Sequence, residues 1–220
     1  FTSSGNVVNI GYNHSRMKLV MSNLVEKLIF APPWCKTLES ESLVNQLGTF
    51  FPNELNSILR STTGSESVEI AMKLARWHTK KSRFMSFKYS WHGHTFGVIS
   101  IGNTEEVRQA FKPVLTDSTI IDHPYLIKSK MGFEYDCKKT LEQIELEFKS
   151  EVYAGFVTEG FISCPGCLPL PNDFFVKLRK LCDQYRVTLI FDEVGTGFGR
   201  TGKMFSYEHS GITPDIVCVA

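Results

Sequence analysis

Apolar residues recur at mixed helical spacing over Ser15 to Phe30 and again over Leu38 to Phe51, with Pro32-Pro33 between them. Two helices separated by a break are predicted there. From Ile58 onward the rhythm changes: short apolar runs alternate with longer stretches of helical period. "FMSFKY" (Phe84 to Tyr89), "YAGFVTE" (Tyr153 to Glu159) and "VTLIFDEV" (Val187 to Val194) read as strands, and "DIVCVA" (Asp215 to Ala220) begins another. Asp136 is placed to cap a helix whose apolar stripe is Cys137, Leu141, Ile144 and Phe148. Asn172 is placed to cap one carrying Phe174, Leu178, Leu181, Cys182 and Tyr185. Strands alternating with helices predict an α/β fold, a mostly parallel sheet with helices on both faces. In such sheets ligands bind beyond the carboxyl ends of the strands, so those ends are where chemistry is sought.

Three strand ends stand out. In "STTGSESVEIAMKLAR" (Ser61 to Arg76), Thr63 and Glu66 have the spacing of a capping box, and Val68, Ala71, Met72 and Ala75 form a stripe for the sheet. This leaves Gly64 and Ser65 in the first turn, either as an ordinary capped helix start or as a phosphate cradle. In "SWHGHTFG" (Ser90 to Gly97), Trp91 offers a flat face among histidines and glycines. That composition suits a stacking platform for a planar ligand as well as a core aromatic. His92 and His94 lack a neighbouring third metal ligand, and a metal site is not expected. The third end, "LIFDEVGTGFGRTGK" (Leu189 to Lys203), contains G-x-G-x-x-G and also G-x-x-x-x-G-K. A phosphate loop needs Ser or Thr after Lys203, where Met204 stands, and both glycine motifs need a helix that "KMFSYEHSG" does not promise. An ATPase metal-binding strand would need a separate phosphate loop, and none is found. What remains is a buried strand delivering Asp192 to the sheet edge, where a carboxylate requires a partner, expected to be cationic.

Composition narrows the classes. The 220 residues are 42% hydrophobic and 21% charged, enough to bury a core. A net charge of +1 gives no reason to expect nucleic acid or an anionic membrane surface. No apolar run reaches the length of a membrane span and no signal peptide opens the chain. Six scattered cysteines in a core-forming chain suit a reducing, cytoplasmic setting. The Cys164/Cys167 pair lacks a second zinc half-site and a helix start beside it, and reads as structural or incidental. Phe1 at one end and a strand pattern broken at Ala220 at the other make a fragment of a longer polypeptide the expectation.

In this order, "GYNHSRM", "TTGSESVEIAMKLAR", "SWHGHTFG", a strand ending in Glu159, and "LIFDEVGTGFGRTGKMFSYEHSGITPDIVCVA" resemble the class III pyridoxal-phosphate aminotransferases. The resemblance covers most of the chain. It implies fold type I, with residues 1–45 belonging to or leading from a smaller domain and 46–220 forming part of the large cofactor-binding domain. It implies a homodimer with active sites at the subunit interface, pyridoxal 5'-phosphate as cofactor, and transfer of an amino group between a primary amine or amino acid and a 2-oxo acid. By the same resemblance, Gly64 and Ser65 hold the cofactor phosphate, Trp91 stacks on the ring, and His92 and Gly93 shape that face. Asp192 pairs with the protonated ring nitrogen, Val194 packs beneath the ring, and Glu159 supports the site. The chain departs from the family at Gly195, where Gln is common, and at Gly160, where Pro is usual. Cys164 stands at the position of a gating Glu, so the usual ω-amino acid selectivity is not carried over. The Schiff-base lysine is expected directly after Ala220. Decarboxylase, racemase and aminomutase chemistry on the same cofactor, or a non-catalytic cofactor-binding homologue, are the alternatives.

Overall fold

The computed structural model describes residues 7–27, 30–32, 34–102, 104–113, 117–124, 127–129, 132–134, 136–164 and 166–220. The chain divides into two compact units, one ending at Leu59 and the other running from Arg60 to Ala220.

The first unit carries helices α1 (Ser15–Val25) and α2 (Leu38–Gly48). Both stop short of their predicted ends, and Leu28, Ile29 and Pro33 lie outside the described residues. Thr37 and Ser40 close a reciprocal capping box on α2, each side-chain oxygen accepting the other's backbone N–H at 3.1 and 3.0 Å. Neither helix buries a residue.

The second unit begins with α3 (Gly64–Thr79) and strand β1 (Arg83–Phe87), then the short helices α4 (Phe96–Ser100) and α5 (Glu105–Ala110). Strand β2 (Ser118–Ile121) follows, then a small hairpin of β3 (Ile127–Ser129) and β4 (Gly132–Glu134). Helix α6 (Cys137–Phe148), strand β5 (Tyr153–Thr158), a second hairpin of β6 (Phe161–Ile162) and β7 (Leu168–Pro169), and helix α7 (Asn172–Tyr185) come next. Strand β8 (Thr188–Asp192), a 3-10 turn at Ser206–His209 and strand β9 (Ile216–Cys218) complete it. Five strands form one sheet in the order β2-β1-β5-β8-β9, every pair parallel.

Both faces of this sheet are covered. Val68, Ala71, Met72 and Ala75 of α3 pack with Phe84, Val157, Ile190 and Cys218. Neighbouring residues on a strand point to opposite faces, and the residue after Ile190, Phe191, meets Phe175 of α7 at 5.1 Å between ring centroids. Phe156 meets Phe87 at 5.3 Å and Phe148 of α6 at 6.5 Å. One face is thus mainly aliphatic under α3, with Phe84 among its residues, and the other is mainly aromatic under α6 and α7.

Details differ from the sequence expectations for local reasons. Asn172 is not a cap: Pro171 holds the cap position, and no side chain bonds there. Phe175 is buried alongside Phe174, and Thr140 takes the buried place on α6 expected for Leu141. Strand β2 was not foreseen, because "STII" is short and its first three residues are only half-buried. Asp136 does cap α6, accepting from the Lys139 N–H at 3.1 Å.

Candidate active site

The sheet order places the ends of β1, β5 and β8 side by side. Asp192 ends β8, Glu159 follows β5, and the loop Ser90 to Thr95 follows β1. The N-terminus of α3 joins them. Val194 packs so closely on Gly64 that a Cβ there would lie 2.8 Å from a Val194 methyl carbon. Gly93 has φ +122°, and a Cβ on it would meet Ser65 Oγ, which accepts the His94 N–H at 3.1 Å. Residues 64, 65, 93 and 194 therefore meet in space, although as many as 130 positions separate them in the chain. The cap of α3 is looser than a full box. Thr63 Oγ1 accepts the Glu66 N–H at 3.1 Å, but the Glu66 carboxylate reaches back to Thr62, not Thr63. The N–H groups of Gly64 and Ser65 point out of the first turn with no intrahelical acceptor.

Asp192 is buried, and its carboxylate is held at both oxygens. Oδ2 lies 2.7 Å from His92 Nδ1 and Oδ1 accepts the Val194 N–H at 3.1 Å. His92 was expected to shape the ring face beside Trp91. Its ring packs against the Asp192 carboxylate with its side chain 0% exposed, and among the described residues its Nε2 has no partner. Trp91 is 38% exposed, with its ring edge-on to His94 at 4.7 Å.

Glu159 is the strut between these groups. Its Oε1 accepts the Trp91 N–H and its Oε2 the Ser163 N–H, both at 2.9 Å. Burial pushes its carboxyl up to about 7; the nearby Asp192 carboxylate adds to this, while His92 and the two N–H donors oppose it. Glu193, next to Asp192, escaped the sequence reading. It is wholly buried, with Oε1 accepting from Ser206 Oγ at 2.5 Å and from the Tyr207 N–H at 3.1 Å, and Oε2 from Thr196 Oγ1 at 2.5 Å. An acid inside an apolar run was the available signal. This network pins the turns after β8. The 3-10 turn at Ser206 is the first helical element after the glycine-rich segment, which confirms that the dinucleotide and phosphate-loop patterns lack the helix they require.

The family model for class-III aminotransferases matches residues 1–220. The chain belongs to the class-III aminotransferase family. An adenosylmethionine-8-amino-7-oxononanoate aminotransferase from Staphylococcus aureus is 32% identical, over 96% of this chain and 50% of its own length. A leucine/methionine racemase from Thermococcus litoralis is 33% identical, over 100% of this chain and 51% of its own. An amine transaminase from an uncultivated Pseudomonas species, solved in its PLP-bound form, superposes with a TM-score of 0.89 at 27% identity. It covers 100% of this chain and 53% of that one. The chain spans about half the length of the curated relatives it matches. Its α/β architecture is that of these fold type I enzymes.

Gly160 is closely enclosed. A Cβ on Gly160 would fall 1.9 Å from Ser206 Oγ and 2.3 Å from Ser206 Cβ. Any larger residue at 160 collides with the hydroxyl that serves Glu193. A cavity of about 1130 Å³ opens at the other end of the sheet, beside Lys81, Arg179 and Asp215. Arg179 there bonds Asp215 at 2.8 Å and Asp183 at 2.7 Å, away from the strand ends described above.

Proposed function

We propose that the whole protein is a pyridoxal 5'-phosphate-dependent transaminase, moving an amino group between a primary amine or amino acid and a 2-oxo acid. The observation that carries this reading is the convergence of a buried carboxylate, Asp192, with the open first turn of α3 through Val194. The residues fit a phosphorylated pyridine. Gly64 and Ser65 supply backbone N–H groups and a hydroxyl at a helix N-terminus, which suits a phosphate. Asp192 keeps a lone pair on each oxygen beyond its two bonds, which suits a protonated ring nitrogen. Bound there, pyridoxal phosphate supplies an electron sink for the pair left when a substrate C–H bond breaks.

Within this reading each residue has a separate task. Asp192 holds the proton on the ring nitrogen, and His92 and the Val194 N–H fix its carboxylate so that it does not reorient. Trp91 and Val194 cover the two ring faces and exclude water. Gly93 lets the β1 loop approach Ser65, and Glu159 keeps the Trp91 backbone in place. The first residues, 1–45, belong to or lead from a smaller domain, and 46–220 form part of the large one. The working form is a homodimer with its sites at the subunit interface. Among the described residues no helix is long and apolar enough to cross a membrane, and the six cysteines are free thiols, in keeping with a cytoplasmic enzyme.

The test is the visible spectrum of the whole protein with pyridoxal phosphate, before and after borohydride. The expected result is an absorption band that borohydride abolishes, leaving a phosphopyridoxyl group on a lysine. Cofactor that binds without becoming reducibly attached would reduce the protein to a cofactor-binding homologue, and no binding would overturn the reading. The racemase relative favours a second reading on the same cofactor. Inversion of an L-amino acid without any 2-oxo acid acceptor would select it.

A further inference from the structure

The hairpin of β6 and β7 presents two thiols that the transamination reading does not use. Its register pairs Phe161 with Pro169 and Ile162 with Leu168. The Cys167 N–H then bonds Ser163 O at 3.3 Å and closes the turn. Cys164 and Cys167 lie three positions apart in this turn, and both are exposed. Residues so spaced in a tight turn have Cα atoms within about 7 Å, the separation a disulfide can bridge. Cys167 has φ 58°, and its Sγ lies 3.9 Å from the carbonyl oxygen of Ser163, the residue that precedes Cys164 in the chain. The remaining thiols differ. Cys182 and Cys218 are buried with their pKa values raised by burial, and Cys35 and Cys137 have no neighbouring cysteine in sequence.

This turn also connects to the strand ends. Ser163, at its base, donates to Glu159 Oε2, and the other oxygen of Glu159 accepts the Trp91 N–H. A change in the turn therefore has a two-bond path to the backbone of Trp91.

We infer that Cys164 and Cys167 form a dithiol–disulfide site that reacts with low-molecular-weight disulfides, and that its closure is transmitted to Trp91 through Glu159. One thiolate attacks the small disulfide, forming a mixed disulfide and expelling one small thiolate. The second cysteine thiolate then attacks the protein sulfur of that mixed bond. The Cys164–Cys167 bond forms, and a second small thiolate leaves. The protein loses two electrons and two protons, and the small disulfide is reduced to two thiols.

The experiment equilibrates the whole protein in buffers of reduced and oxidised glutathione, quenches it with an alkylating agent and weighs its peptides. The expected result is loss of two hydrogens across Cys164 and Cys167 with no glutathione attached, reversed by dithiothreitol. Cys167→Ser, a small change at an exposed position, should instead retain glutathione on Cys164. Stable glutathione on either cysteine of the unmodified protein, or oxidation confined to Cys35, overturns the site. Amide hydrogen exchange tests the transmission without any cofactor. Exchange at Trp91 should change by about threefold or more on oxidation of the unmodified protein and stay fixed in Cys167→Ser. Unchanged exchange at Trp91 after full oxidation refutes the link through Glu159.

Discussion

Glu159 and Asp192 sit at adjacent strand ends, and both are buried, yet their surroundings differ. Asp192 faces an imidazole at 2.7 Å, whereas the carboxyl of Glu159 accepts from the backbone N–H groups of Trp91 and Ser163, and burial pushes it up to about 7. The folded state therefore keeps the Glu159 proton over a range where the unfolded chain has already lost it. Its contribution to stability is full below about pH 4.5, declines between about 4.5 and 7, and is constant above that. At about 1.4 kcal/mol per pKa unit, the decline is at most about 3.5 kcal/mol. Urea unfolding of the unmodified protein and of Glu159→Gln at steps from pH 4.5 to 8 should show their difference shrinking over that window. A parallel pair of curves would refute the assignment. Gly160 permits a second prediction. Because its Cβ would strike Ser206, Gly160→Ala should destabilise by about 1–3 kcal/mol, whereas the same change at the unobstructed Gly48 should not introduce a collision. At this scale the sequence revealed that Asp192 needs a cationic partner, and the family resemblance implied the ring nitrogen, but neither pointed to the imidazole beside it. His92 is 100 positions away, and no local pattern connects the two.

Among the elements, α3 was the most legible. Thr63 and the stripe Val68, Ala71, Met72 and Ala75 all occupy the places their spacing assigned, because an N-cap and a helical stripe are local features. The strands ending in Glu159 and Asp192 were legible for the related reason that a fully buried parallel strand is apolar throughout. Features set by tertiary contact were hidden. Edge strand β2 carries little burial signal, and Pro171 displaced Asn172 from the cap because the chain turns into α7 one residue earlier. The join between α3 and β8 was hidden as well, since it depends on Val194 touching Gly64. It yields a third prediction. Gly64→Ala should force Val194 aside and cost about 1–3 kcal/mol. Val194→Ala alone leaves a gap, but the double variant should recover more than half of the Gly64→Ala loss. Thermal unfolding of the four proteins gives the coupling energy, and strict additivity would show that the two residues do not press on each other.

The two units of the chain are held together by unlike means. Residues 60–220 have a parallel sheet with hydrophobic layers on both faces, including Phe84, Phe87, Phe148, Phe156, Phe174 and Phe191 at 0% exposure. Among the described residues of the first unit none is buried, and α1 leaves Met17, Leu19, Val20, Met21 and Val25 about half exposed or more. Helices of 11 residues are marginal in water without a packed face, because the cost of starting each one is repaid only by length or by tertiary burial. The capping box at Thr37 and Ser40 contributes on the order of 1 kcal/mol, too little to offset the ordering of the backbone around it. A fragment of residues 1–59 should therefore be largely unfolded, with weak helical circular dichroism and no cooperative melting. In the whole protein, amides of α1 and α2 should exchange slowly if the proposed homodimer or the rest of the protein covers their apolar side chains. Cooperative unfolding of the isolated fragment would show that the first unit is stable by itself and would remove this reason for expecting a partner surface over α1.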